Sequence, residues 1–84
     1  MTNSVSTGSI YWISDEEIST LEEKAHNGDK NSSFKLYQYH MFVSLNQDLE
    51  FKWLEIAVKN GHPIAQSNLD DLLLAQGGKK KYIF

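Results

Sequence analysis

The chain has 84 residues, 40% of them hydrophobic and 23% charged, which suits one globular domain and no more. A net charge of −3 argues against a nucleic-acid binder, whose affinity rests on neutralising phosphates with a basic surface. The absence of cysteine excludes disulfides, thiol catalysis and cysteine-based zinc sites, and makes the cytoplasm the expected compartment.

The first 13 residues read as a tail. Polar residues dominate as far as Ser9, with neither the basic start nor the apolar run of a secretory signal. No stretch is long and apolar enough to suggest a membrane span. Ile10-Tyr11-Trp12-Ile13 is then abruptly apolar. It is expected to fold back on the first helix as a plug, the alternative being an exposed edge that binds a partner.

The folded part is expected over residues 14–78. Ser14-Asp15-Glu16-Glu17 has the form of a capping box, in which Ser14 and Glu17 each serve the other's backbone N–H. Ile18, Leu21 and Ala25 share one face of the helix that follows, and Asn27-Gly28 stops it. A second helix is predicted from about Asn31 to Val43. Its two apolar stripes, Phe34-Tyr37-Met41 and Leu36-Tyr39-Val43, call for cover on more than one side.

Asn46-Gln47-Asp48 makes a turn and a cap, and a third helix runs to about Lys59, stopped by Asn60-Gly61. Pro63 is expected in the first turn of a fourth helix, where its missing N–H costs nothing. That helix carries Ala65, Leu69, Leu72 and Leu73 inward and ends at Gly77-Gly78. Residues 79–84 read as a second tail. In it, Lys79-Lys80-Lys81 complements the negative end of the last helix, and Tyr82-Ile83-Phe84 is an apolar end.

A shift of 33 residues lays 15–44 onto 48–77 without a gap. It pairs Asp15 with Asp48, Glu17 with Glu50, Leu21 with Leu54, Asn27-Gly28 with Asn60-Gly61, and Leu36 with Leu69. These are the cap, core and stop positions of a helix–turn–helix unit, so the chain reads as all-α. Four helices form two stacked antiparallel helix pairs.

Within the second unit, Trp53, Ala57, Gly61, Ala65, Gln66 and Leu69 fall on the pattern of the Sel1-like repeats, and this stretch resembles that family. The resemblance covers roughly residues 15–77. It implies a short solenoid related to tetratricopeptide repeats and an adaptor-like, protein-binding role. The Leu-Gly-x-x-Tyr signature of the tetratricopeptide repeat itself is absent. The chain departs from the family pattern in having Tyr37 and Asp70 where a glycine is usual, and Ser32-Ser33 where Ala-Gln is expected. Those departures leave ligand preference to this chain's own residues.

No catalytic constellation is apparent. His26, His40 and His62 are scattered and lack metal-ligand spacing, and His62 precedes a helix where it reads as a cap. There is no phosphate-binding glycine loop and no Gly-x-Ser-x-Gly elbow. The expectation is therefore a non-enzymatic protein with no cofactor and no metal.

The candidate partner-binding residues are Tyr37, Gln66, Asp70 and Asp71. Equivalent flanks of helices two and four hold Ser33 with Tyr37 and Gln66 with Asp70. An aromatic beside acids suits a basic partner surface. The plainer reading makes Tyr37 a core residue and Asp70-Asp71 merely solubilising. The specific expectation is a small immunity or inhibitor protein that binds a basic toxin domain one-to-one. The alternative is a structural or oligomeric adaptor that self-associates through apolar ends at Tyr11-Trp12 and Tyr82-Ile83-Phe84.

Overall fold

The computed structural model describes residues 10–75. The polar tail before Ile10, the stop at Gly77-Gly78, the lysines 79–81 and the apolar end at 82–84 lie outside the described residues. Within them the fold is all-α, with four helices in the order α1 (Asp15–His26), α2 (Lys30–Phe42), α3 (Gln47–Lys59) and α4 (Ala65–Ala75). Each packs on its successor, α2 on α3 most extensively.

Local chemistry sets the helix starts. The Ser14 side chain accepts from the Glu17 N–H at 3.2 Å. The other half of the expected capping box does not form; Glu17 instead pairs with Lys35 of α2 at 3.6 Å, both side chains about half exposed. Asp29 caps α2, accepting from the Asn31 N–H and, at 2.6 Å, from the Ser32 hydroxyl. Asn46 caps α3. By the 33-residue shift it corresponds to Ile13, so the two units' caps are one residue out of register. Pro63 falls in the turn before α4 instead of in its first turn.

The helix stops repeat closely. After α1, the Gly28 N–H donates to Ala25 and the Asp29 N–H to Lys24. After α3, the Gly61 N–H donates to Val58 and the His62 N–H to Ala57. Both are the double-bonded closure that needs a left-handed residue, and the two glycines have φ of +100° and +89°.

One side chain ties the two units together. The Asn60 Nδ2 group donates to the Ala25 carbonyl at 3.0 Å and to the Ser33 hydroxyl oxygen at 3.2 Å. Ser33 is itself fully buried, and its hydroxyl donates to the Lys30 and Asp29 carbonyls. The serine that departs from the repeat pattern thus receives the next unit's stop.

The core is Ile13, Leu21, Ala25, Leu36, Tyr37, Trp53, Leu54, Ala57 and Ala65. The plug at 10–13 divides. Ile13 is buried and Tyr11 stacks on Phe42 with ring centroids 4.6 Å apart, while Ile10 and Trp12 are about two-thirds exposed.

Physical position explains where the repeat fades. α3 lies between α2 and α4 and needs apolar residues on both sides. Among the described residues no α-helix precedes α1, and its counterparts of Trp53, Ile56 and Ala57 are Thr20, Glu23 and Lys24, all exposed. At the other end Leu69, Leu72 and Leu73, expected inward, are only partly buried, and Leu74 is exposed.

Candidate functional site

A groove of about 280 Å³ opens where α2, α3 and α4 meet. Helical spacing builds its walls. Tyr37 and Met41, one turn apart, come from α2; Asn68, Asp71 and Leu72, spaced i, i+3, i+4, come from α4; Glu50 comes from the first turn of α3. The lining therefore combines an apolar floor with two carboxylates, an amide and a phenol. Among the described residues it contains no cation.

Tyr37 is 95% removed from solvent, since its relative exposure is 5%. Its ring packs against Phe34 at 5.2 Å between centroids. Burial pushes its hydroxyl above the usual tyrosine value, the Glu50 and Asp71 carboxylates push it the same way, and hydrogen bonding with Asn68 opposes them. Both carboxylates thus act electrostatically on the phenol.

Glu50 is half-buried, and its carboxyl is held above the ordinary glutamate value by loss of water alone. Among the described residues it has neither a salt-bridge partner nor a side-chain hydrogen bond. A partly dehydrated carboxylate without a donor is costly, because protein contacts do not replace the water it has lost.

The four residues expected at a single partner-binding surface separate into two pairs. Tyr37 and Asp71 meet in the groove. Gln66 and Asp70 are exposed, and the Gln66 amide donates to Asp70 at 3.1 Å, a contact within one helix face. For Tyr37 both expectations, a partner-facing residue and a core residue, meet at one side chain. The ring belongs to the core, as two stripes on α2 require, and Tyr37 borders the groove from that buried position.

Sequence reasoning did not single out Glu50, Asn68, Met41 or Leu72 for this site. The shift that pairs Glu17 with Glu50 holds a signal only in hindsight, because the first is exposed and ion-paired while the second is neither.

A second concavity is formed by the five consecutive residues Ser44–Asp48, around Leu45 with its φ of +54°. Among the described residues no side chain from another element lines it.

The histidines are occupied locally. His62 Nδ1 accepts from the Ile64 N–H at 3.1 Å, as a cap before α4, and its ring stacks on Phe34 at 3.9 Å. His40 is buried in α2, with Nδ1 2.7 Å from the Ser44 hydroxyl and Nε2 without a partner among the described residues. The His26 and Trp53 ring centroids lie 5.3 Å apart, and the buried Trp53 indole N–H likewise has no partner among the described residues. Among the described residues no group of three or more histidines and carboxylates is placed to hold a metal ion. Nor, among the described residues, is any helix long and apolar enough to cross a membrane.

No family model matches the chain, and no solved structure matches it. It is similar to the uncharacterized protein YibG of Escherichia coli (strain K12), with 36% identity over 63 residues. The matched stretch covers 75% of this chain and 41% of that protein, so the chain spans well under half of its relative's length.

Proposed function

We propose that this chain is a non-enzymatic protein-binding module of Sel1-like type, and that it engages one protein partner through the groove between α2, α3 and α4. The observation that carries this reading is the groove's composition: the apolar Met41 and Leu72 line it beside Glu50 and Asp71, neither of which has a salt bridge or a side-chain hydrogen bond among the described residues. The chain's net charge of −3 favours a basic partner in the same direction. The resemblance of the second unit to Sel1-like repeats adds a protein-binding precedent of the right kind. The specific form of this reading is a one-to-one inhibitor, such as an immunity protein that neutralises a basic toxin domain. Association kinetics with the protein encoded beside its gene test this. Binding whose on-rate falls steeply with added salt is expected; an on-rate indifferent to salt, or no binding, defeats the inhibitor reading.

A second reading is self-association through exposed apolar residues, favoured by Ile10 at 67%, Trp12 at 64% and Leu74 at 73% exposure. Light scattering at two concentrations decides it. A rise in mass with concentration supports an oligomeric adaptor, and a monomer at both rejects one.

A further inference from the structure

The groove's size narrows what it holds. At about 280 Å³ it falls just below the range of small-molecule pockets, roughly 300–1,000 Å³, but has room for one long side chain. Its chemistry narrows the choice further. A cation would find the carboxylates of Glu50 and Asp71 on two different helices, with the Tyr37 and Asn68 side chains also in the lining. An ammonium has three donors that can turn towards separate acceptors, whereas a guanidinium fork suits one coplanar carboxylate. A four-carbon stem has apolar surface to lie on in Met41 and Leu72.

Glu50 supplies an independent reason to expect a ligand. Its partly dehydrated carboxylate has no donor from the described residues, so an arriving cation would satisfy a group that they leave without one. The neighbouring Asp70 differs, since it already accepts from Gln66 and does not line the groove.

We propose that the groove is a receptor for a single lysine side chain of a basic protein partner, whose ammonium sits between Glu50 and Asp71 and whose stem lies over Met41 and Leu72. This rests on the protein-binding reading and goes beyond it by assigning the recognised group.

The test is a nuclear magnetic resonance titration of the full chain with Ac-Gly-Lys-Gly-NH2, with the norleucine and arginine peptides as comparisons. The lysine peptide is expected to give saturable shifts of the Met41 and Leu72 methyl groups and the Tyr37 ring, with norleucine giving almost none. Glu50→Gln and Asp71→Asn are each expected to weaken binding by about fivefold or more, as for loss of one charge-assisted hydrogen bond. Asp70→Asn should leave it unchanged. Glu50→Gln should also leave the thermal midpoint no lower, because the ionised carboxylate is the disfavoured form in the fold. A fold-breaking effect would show in that midpoint.

Equal binding of norleucine, tighter binding of arginine, shifts away from the groove, or full binding by both carboxylate variants would each overturn the lysine assignment. If a protein partner binds while the carboxylate variants bind it as well as the native chain, the lysine site fails and the protein-binding reading stands. If the lysine peptide seats in the groove but no protein partner binds, the reverse holds.

Discussion

Replacing Asn60 by alanine should cost about 1–2 kcal/mol, because this side chain fastens the second helix pair to the first. Two of its contacts have good geometry, to the Ala25 carbonyl at 3.0 Å and the Ser33 hydroxyl at 3.2 Å; a third, to the Asp29 carbonyl, is long at 3.5 Å. A typical internal hydrogen bond contributes about 0.5–1.5 kcal/mol net, which sets the sum at roughly 1–3 kcal/mol. The lower part of that range applies because neither acceptor is orphaned. The Ala25 carbonyl keeps the Gly28 N–H, and the Ser33 hydroxyl keeps its bonds to Lys30 and Asp29.

For a domain of this size the loss corresponds to roughly 5–15 °C in thermal midpoint. The assay is urea and thermal unfolding followed by circular dichroism. Asn27→Ala is the internal control, since Asn27 is the repeat equivalent, is exposed, and has no side-chain hydrogen bond among the described residues. It should cost less than about 0.5 kcal/mol, as for a surface change. In a double-mutant cycle with Ser33→Ala, a coupling of about 0.5–1 kcal/mol is expected. Equal losses for Asn60→Ala and Asn27→Ala would refute the idea that Asn60 joins the units.

Trp53→Ala should cost about 3–5 kcal/mol and threaten folding of so small a chain, because Trp53 is 1% exposed at the centre of α3; denaturant midpoints measure this. Gly61→Ala should lose roughly 1–2 kcal/mol in the same assay despite open space around it, because its φ of +89° strains any Cβ-bearing residue. Stability should fall on mild acidification. Burial holds both His40 and His62 below the usual 6.5, so their contribution is present above about pH 6.5 and is lost as pH falls below it towards their folded values. For His62, a proton on Nδ1 would also remove the acceptor that caps α4, so His62→Asn should flatten part of the pH dependence seen in denaturant midpoints.

Much of the fold was legible because each helix carries its own punctuation. Ser14, Asn46 and the glycines at 28 and 61 act within four residues of where they stand, so local reading finds them. The repeat was legible where both units need the same residue, as at Leu21 and Leu54 or at the two Asn-Gly stops. It was silent where the units have different neighbours. Thr20 and Lys24 face no helix among the described residues, whereas Trp53 and Ala57 lie in the core.

The groove was only half legible, for a related reason. Tyr37 and Asp71 could be named from flanking positions, but Glu50 looks like any first-turn acid that favours a helix N-terminus. Its dehydration depends on burial in the folded chain, where it shares a groove with residues of α2 and α4, and no spacing along one helix encodes that. Gln66 and Asp70 show the converse. Their one-turn spacing suggested a surface, and the spacing is used up by their bond to each other.

Isothermal titration calorimetry with the purified product of the neighbouring gene tests the central claim most directly. It should use the native chain alongside the combined Glu50→Gln and Asp71→Asn variant. One-to-one binding by the native chain, weaker at high salt, is expected, with a loss of about tenfold or more in the variant. No binding by the native chain, or equal affinity for the two proteins, would contradict it.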